Sequence, residues 1–193
     1  MRIIVAISGA TGVIYGIKLL KALQKNKIFE THLLITPWAE RIIKSETNFS
    51  IKQIISYASY YYEINDFDAP IASGSFKTDG MVVVPCSMKT LSAIAHGYAN
   101  NLITRSADVI IKEQRKLILV PRETPLSTIH LENMIKLTRL GIVILAPMPA
   151  FYFKPESLNE IVDHLVNKIL DHLGIKNNLC KGKEKGVNYK PDI

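Results

Sequence analysis

Small and hydroxyl-bearing residues stand directly after an apolar run near the start of this chain. The sequence SGATG at 8–12 follows the apolar residues 3–7, and a helix-period segment begins immediately after it. Glycines let backbone N–H groups approach a phosphate, and a helix N-terminus adds a favourable dipole. The spacing fits neither G-x-G-x-x-G nor G-x-x-x-x-G-K-S/T. The loop therefore predicts a phosphate site with a nucleotide as ligand, although a plain strand–turn–helix corner would need the same small residues.

A second group of hydroxyls, Ser87 and Thr90, follows the apolar run 81–84. Ser and Thr are preferred helix N-caps, and the helix predicted next needs a cap at this position. These hydroxyls and the neighbouring backbone N–H groups could also contact a flavin or a phosphate, because a capped helix end still attracts anions. Cys86, beside them, is more typical of a small buried residue than of a nucleophile.

Cations near carboxylates form two further candidate groups. Arg122 and Glu123 lie between two prolines, where the guanidinium could hold a phosphate while the carboxylate transfers a proton. A surface salt bridge is the alternative for this pair. Arg105, Asp108 and Lys112 recur at steps of three and four residues, so they share one face of a predicted helix. That face is either a solvated row of ion pairs or a pair of cations directed at a phosphate.

Several single residues have plain structural interpretations. Glu46 ends a predicted helix and is typical of a surface position. Lys168 flanks the apolar stripe of the last predicted helix, where lysine stems commonly cover apolar surface. Tyr152 follows Phe151 after a proline-rich segment, which favours packing in the core. The histidines show no metal-ligand spacing such as H-E-x-x-H, so we predict no metal site.

The elements that must position these residues alternate between strand-length apolar runs and helix-period segments. The runs 81–84 and 142–145 are almost entirely apolar, which indicates strands buried on both faces. This alternation predicts a doubly wound parallel sheet with helices on both faces, in which ligands bind beyond the carboxyl ends of the strands. Pro155 predicts the start of the last helix, and the segment 60–75 is left without assignment. The predicted strands cover 2–7, 31–35, 81–84, 117–120 and 142–145, and the predicted helices cover 14–25, 39–46, 90–96, 104–115, 131–140 and 156–173.

Composition limits the class of protein. The 193 residues suffice for one domain with a full core, and no apolar run approaches the roughly 20 residues that cross a bilayer. Two cysteines without C-x-x-C spacing predict neither disulfides nor zinc, and they fit a reducing cytoplasm. The net charge is +7, and the last 20 residues contain five lysines against two acidic residues. Charges elsewhere are mixed, which favours small phosphorylated ligands over nucleic acid. We expect one domain over 1–175 and a basic tail over 176–193.

Together these segments resemble the flavin prenyltransferases, the UbiX-like family, over roughly residues 1–175. The related cysteine decarboxylases share the fold, but they carry P-A-S-A-N-T where this chain has PCSMKT. The order and spacing of the shared motifs make the resemblance specific. These motifs are SGATG at 8–12, ASGS at 72–75, PCSMKT at 85–90, NLITRSADV at 101–109, KEQR at 112–115, VPRETP at 120–125, HLENM at 130–134 and PAFY at 149–152.

The resemblance implies a Rossmann-type, flavodoxin-like fold assembled into a dodecamer. It also implies an enzyme that attaches a dimethylallyl group from dimethylallyl phosphate to reduced flavin mononucleotide (FMN), without a metal. The product, prenylated FMN, would serve a separate UbiD-type decarboxylase. By matching motif, the catalytic residues would be the carboxylates Glu46 and Glu123 and the cations Arg105 and Lys112, while Tyr152 and Lys168 would bind the prenyl donor. The flavin would be held by Gly9, Ala10, Thr11, Thr36, Ser87, Met88, Lys89, Thr90 and Arg122.

This chain departs from the family pattern at three places. Thr11 stands where Ser is more common, and Lys168 stands where Arg is common, which loses the bidentate fork and keeps the charge. The tail lacks the tryptophan of some relatives, and Tyr189 is its only aromatic residue. Two other functions stay open: a flavin-dependent decarboxylase of a small aromatic acid or a peptide cysteine, and a non-catalytic flavin-binding subunit. The client decarboxylase, its pathway (ubiquinone biosynthesis or aromatic-acid decarboxylation) and the choice between monophosphate and diphosphate donor also stay open.

Overall fold

The apolar runs of the sequence form the strands of one sheet. The structure is a computed structural model that describes residues 1–177, and no helix in that range is long and apolar enough to span a membrane. In chain order the strands are β1 (Arg2–Ile7), β2 (Glu30–Ile35), β3 (Tyr60–Tyr62), β4 (Gly80–Cys86), β5 (Lys116–Pro121) and β6 (Val143–Ile144). The helices are α1 (Val13–Gln24), α2 (Pro37–Glu46), α3 (Ile51–Ile55), α4 (Met88–Ala95), α5 (Leu102–Lys112), α6 (Thr128–Arg139) and α7 (Leu158–Leu173), with a 3-10 turn at Pro70–Ala72.

The six strands of the described chain lie in the order β3-β2-β1-β4-β5-β6, and all neighbours are parallel. The chain builds outward from β1 to β3 on one side and from β4 to β6 on the other. The order therefore reverses between β1 and β4, and a crevice beyond their carboxyl ends suits a ligand. We call this place the switch-point crevice. The predicted doubly wound parallel sheet is confirmed.

Helices cover both faces of the sheet. Successive side chains of a strand point to opposite sides, so each central strand contributes residues to both cores. In β1, Ile3, Val5 and Ile7 belong to the core that includes α1 and α7. Ile4 and Ala6 belong to the opposite core, with α4 and α5. Burial of both faces fixes the register of the strands, and with it the positions of the loops at the carboxyl edge.

Several segments differ from the sequence-based expectation, among them the following three. The predicted strand 142–145 was expected to be buried on both faces, but β6 has two half-buried residues because it lies at the sheet edge and pairs only with β5. The last helix begins at Leu158 rather than beside Pro155, because the Ser157 hydroxyl accepts a hydrogen bond from the N–H of Glu160 and caps the helix there. The unassigned segment 60–75 contains the edge strand β3 and the 3-10 turn.

Candidate functional site

Ser8, the first residue after β1, joins the two strands that border the switch-point crevice. Its N–H and its Oγ both donate to the carbonyl oxygen of Pro85, at 3.2 and 2.9 Å. The same Oγ accepts a hydrogen bond of 2.8 Å from the N–H of Ser87, just after β4. The N–H of Arg122 donates to the Cys86 carbonyl at 3.3 Å, which ties the end of β5 to the end of β4. The carboxyl ends of three strands are therefore held together around the crevice.

The SGATG loop between β1 and α1 keeps backbone donors for an anion. Within residues 1–177 the N–H groups of Gly9 and Thr11 meet no acceptor, whereas the N–H of Ala10 closes a turn onto the Ser8 carbonyl at 2.9 Å. A Cβ at position 9 would lie 2.7 Å from the Cβ of Trp38, so only glycine lets α2 approach this closely. The geometry of the loop fits a phosphate oxygen, as the sequence predicts.

A carboxylate lies at the start of α1. Gly12 is the N-cap of this helix with φ of +93°, a left-handed conformation that favours glycine. Its N–H donates to Oε2 of Glu46 at 2.9 Å. Negative charge at a helix N-terminus is stabilised by the helix dipole. Glu46, which sequence alone places on the surface, is an exposed residue that also lies beside the predicted anion loop.

The hydroxyls of Thr36 and Ser87 cap helices. Thr36 Oγ1 accepts a hydrogen bond of 3.1 Å from an N–H in the first turn of α2. Ser87 Oγ accepts from the N–H of Thr90 at 3.3 Å and donates to Thr90 Oγ1 at 3.1 Å. The capping interpretation of Ser87 is confirmed. Of the other two predicted flavin contacts on this turn, Met88 is half-buried and Lys89 is exposed.

The loop after β5 presents an exposed cation and an exposed carboxylate. Among the described residues the Arg122 side chain has no hydrogen-bonding or ion-pair partner, and Glu123 Oε1 accepts a hydrogen bond of 3.0 Å from the N–H of Thr124. The alternative of a salt bridge between these neighbours is therefore not realised in this part of the chain. Both charges remain available to a ligand.

The two cations of α5 have other surroundings. Arg105 Nε donates to the Ala72 carbonyl at 3.1 Å, and its terminal nitrogen lies 3.0 Å from Asp108 Oδ2, so the ion-pair alternative is realised for Arg105 and Asp108. Lys112 ends α5 shortly before β5 begins, which places it at the amino edge of the sheet. Its Nζ is 3.8 Å from Glu113 Oε1. A single chain therefore does not bring Lys112 to the switch-point crevice.

The amino edge also carries a cavity of about 300 Å³, whose lining includes Phe29, Thr31 and Tyr57. Thr31 stands at the amino end of β2, whereas Thr36 stands beyond its carboxyl end. None of the predicted site residues lines this cavity. We therefore do not assign it to the site.

Tyr152 and Lys168 are linked through a histidine that sequence analysis did not single out. Tyr152 Oη lies 2.7 Å from Nε2 of His164, and Lys168 follows one turn later on α7. Tyr152 is 63% exposed and Phe151 is 69% exposed, so the interpretation that they pack in the core is wrong. Burial, and then the Lys168 ammonium, lower the pKa of His164, which keeps its imidazole neutral at pH 7.

Trp38 is a second residue that sequence analysis missed. It lies in the first turn of α2 against Gly9, it is 66% exposed, and the Arg41 guanidinium lies 4.6 Å from its ring centre. The available signal was the single tryptophan of the chain, three residues beyond a predicted strand end. For His164 the signal was its place four residues before Lys168, on the same face of a predicted helix.

The groups at the carboxyl edge are of the kinds that suit anion binding and proton transfer. Burial raises the pKa of the Cys86 thiol, which argues against a thiolate nucleophile there. Across residues 1–177, no three His, Cys, Asp or Glu side chains are grouped closely enough to hold a metal ion. Backbone donors, a guanidinium and two carboxylates remain. The fold and the site thus define a doubly wound α/β protein built for a phosphorylated ligand.

Comparison with known proteins gives the family. Residues 1–170 match the family described as Flavoprotein. Flavin prenyltransferase UbiX from Methanocaldococcus jannaschii is 53% identical over 181 residues, which cover 94% of this chain and 97% of that protein. This chain belongs to the UbiX-like flavin prenyltransferases, and the resemblance inferred from its motifs is confirmed.

Two solved structures superpose on this chain. The dodecameric FMN-dependent Ubix-like decarboxylase from Escherichia coli O157:H7 is 49% identical with a TM-score of 0.93, covering 94% of this chain and 98% of that one. AnUbiX (PadA1), solved in complex with FMN and dimethylallyl pyrophosphate, is 51% identical with a TM-score of 0.89, covering 91% and 93%. The flavodoxin-like fold implied by the resemblance is confirmed.

Proposed function

We propose that this chain transfers a dimethylallyl group from dimethylallyl phosphate to reduced FMN, and so makes prenylated FMN for a UbiD-type decarboxylase. The observation that carries the proposal is the carboxyl edge of the sheet, where an anion loop lies beside Glu46, and the exposed side chains of Arg122 and Glu123 follow β5. The likeness to AnUbiX, which was solved with FMN and dimethylallyl pyrophosphate, supports it.

The residues fit a flavin phosphate at this edge. Within residues 1–177 the N–H groups of Gly9 and Thr11 and the guanidinium of Arg122 have no partner, and they can donate to phosphate oxygens. FMN, when bound in its reduced form, supplies the ring that receives the prenyl group. We assign the FMN contacts to Gly9, Ala10, Thr11, Thr36, Ser87, Met88, Lys89, Thr90 and Arg122.

The prenyl donor needs cations and an aromatic face. When its allylic C–O bond breaks, an allylic cation and an anionic phosphate result. Lys168 and Lys112 stabilise the departing phosphate, and the ring of Tyr152 stabilises the cation. Glu46 or Glu123 accepts the proton that ring closure releases. The Arg105 guanidinium adds a further positive charge near the departing phosphate, so no metal is required to stabilise it.

Neighbouring copies complete this site in our proposal. Lys112 lies at the amino edge of its own sheet, so its proposed role requires that it reach the donor from another chain. A dodecamer would supply such neighbours, and the relative from Escherichia coli O157:H7 is described as dodecameric. We further propose a single flavin-binding domain over 1–175, a basic tail over 176–193 and a cytoplasmic location. Tyr189, the tail residue that could substitute for the tryptophan of some relatives, lies outside the described residues.

A flavin-dependent decarboxylase is the second candidate, because the relative from Escherichia coli O157:H7 is described as a decarboxylase. Such an enzyme would use the flavin as an oxidant and would need no second phosphate site. Lys168 and Lys112 are cations in addition to Arg122, and they favour a second phosphate site and therefore the prenyltransferase. A non-catalytic flavin-binding subunit, the third possibility, would not require the carboxylates of Glu46 and Glu123.

One experiment separates these functions. The protein is incubated anaerobically with reduced FMN and either dimethylallyl phosphate or its diphosphate, and the flavin is weighed by mass spectrometry. A flavin heavier by one prenyl unit supports the proposal, and the two incubations identify the donor. Release of carbon dioxide from an aromatic acid or a cysteine peptide, with unchanged flavin, would support the decarboxylase. Bound, unchanged flavin in every assay would support the binding subunit.

A further inference from the structure

His164 makes its side-chain hydrogen bond to Tyr152 across the gap between α7 and the loop that follows β6. The Tyr152 hydroxyl lies 2.7 Å from His164 Nε2, and the two rings meet edge to face with centres 5.7 Å apart. Phe153 stacks on the imidazole at 4.9 Å with an angle of 12° between the rings. The histidine is thus held in one orientation by an aromatic ring on its face and a hydroxyl at its edge.

The charge around His164 determines what the imidazole can donate. Lys168 is one turn away, and burial together with that ammonium lowers the pKa of His164. The neutral ring carries a single N–H, on either Nδ1 or Nε2. If Nε2 carries it, the ring donates to the Tyr152 oxygen and leaves the phenol proton free for another acceptor. If Nδ1 carries it, Nε2 accepts the phenol proton and Tyr152 has none to give.

We propose that His164 is a positioning residue, which donates from Nε2 to the Tyr152 oxygen and so directs the phenol proton toward the phosphate of the prenyl donor. This inference rests on the proposed function. A phosphate anion near Lys168 favours the Nε2–H tautomer, because only that tautomer lets Tyr152 donate to it. His164 therefore acts on donor binding through Tyr152, and it leaves FMN binding unaffected.

Two variants separate the hydrogen bond from the packing. His164→Phe keeps a ring against Phe153 and removes the bond to Tyr152, whereas His164→Gln removes the ring and keeps an amide that can donate to the phenol oxygen. We expect the KM for dimethylallyl phosphate to rise about 5- to 10-fold in His164→Phe and to return to within about 3-fold in His164→Gln. The affinity for FMN stays unchanged in both. His172→Gln, an exposed histidine on the same helix, is the control and leaves both quantities unchanged.

A double-mutant cycle with Tyr152→Phe tests whether the effect passes through the phenol. We expect His164→Phe to change the KM by less than about 2-fold once the hydroxyl is gone. Equal effects in the two backgrounds, or a loss of FMN affinity and melting temperature that His164→Gln does not restore, would overturn the inference. If the wild-type protein makes no prenylated FMN, the proposed function itself fails, which is a different outcome from additive variants in an active enzyme.

Discussion

The carboxylate of Glu46 accepts a hydrogen bond of 2.9 Å from the backbone N–H of Gly12, at the start of α1. The two residues are 34 positions apart in the chain. A negative charge at an exposed helix N-terminus contributes about 0.3–1 kcal/mol to the free energy of unfolding. This small contribution to stability makes it possible to separate a role of Glu46 in proton transfer from a role in folding.

We predict that Glu46→Gln lowers prenyl transfer about 100- to 10,000-fold, as expected for a lost acid/base group. The amide oxygen can still accept from the Gly12 N–H, so the melting temperature should change little. Single-turnover rates with reduced FMN and dimethylallyl phosphate, beside thermal melts, measure both quantities. Glu63→Gln changes an exposed carboxylate just after β3 and serves as the control. Full activity in Glu46→Gln would remove this carboxylate from the mechanism.

Glu123→Gln should keep FMN bound and lose transfer by about 100- to 10,000-fold. The Gln amide oxygen can replace Glu123 Oε1 as acceptor for the Thr124 N–H, so the loop keeps its shape. Flavin absorbance of the purified protein measures binding, and mass spectrometry of the flavin measures transfer. A variant that loses both together would indicate a structural role for this carboxylate instead.

Lys112 and Glu123 should complement each other between chains. Lys112→Ala and Glu123→Gln proteins are each expected to be nearly inactive, since each lacks one group of the site. Oligomers formed by unfolding and refolding the two together would contain some sites with both native residues, if Lys112 reaches a neighbour. We expect activity to reappear in the mixture and not in either variant refolded alone. Absence of any recovery, with mixed oligomers demonstrated by mass, would contradict the shared site.

Gly9→Ala should weaken FMN binding while the fold persists. The new Cβ would lie 2.7 Å from the Cβ of exposed Trp38, so the start of α2 must shift away from the anion loop. Gly16→Ala is the contrast, because its Cβ would meet the Val84 carbonyl oxygen at 2.5 Å within the core. That substitution should lower stability by about 1–3 kcal/mol. Titration with FMN and thermal melts distinguish the two variants. Equal losses of melting temperature in Gly9→Ala and Gly16→Ala would contradict the assignment of Gly9 to the FMN site.

Stability should fall as the pH drops below about 6.5, and His32 should be one cause. The side chain is 1% exposed, lies between hydrogen bonds to Tyr62 and Glu30, and has its pKa lowered by burial, although Glu30 partly opposes this shift. The unfolded chain therefore binds a proton more readily than the native one between the lowered pKa and about 6.5. Melting temperatures across that range should depend less on pH in His32→Gln than in the wild type. The same dependence of melting temperature on pH in both proteins would exclude His32 as a cause. The lowered pKa of His164 contributes to the loss of stability in the same direction.

The sequence alone determined the layers of the fold and the edge of the sheet at which we place the ligand site. Apolar runs such as 81–84 are buried on both faces of the sheet, and burial of this kind is encoded locally by consecutive apolar residues. The cap at Ser87 was also predictable, because capping depends on a hydroxyl and the next turn of the same helix. Edge elements were harder to predict. The Tyr60–Tyr62 strand has one exposed and two half-buried residues, and β6 has only two residues, so neither shows a clear alternation of buried and exposed positions.

The tertiary structure alone decided which charged groups lie together. Arg105 and Lys112 share a helix face in sequence, yet α5 runs toward the amino edge and takes Lys112 away from the switch-point crevice. Conversely, Tyr152 and His164 meet across a loop and a helix, and their hydrogen bond depends on how α7 packs against the sheet. Periodicity reports which side of an element is buried. It carries no information on how two packed elements are offset along their lengths, and that offset brings remote side chains within bonding distance.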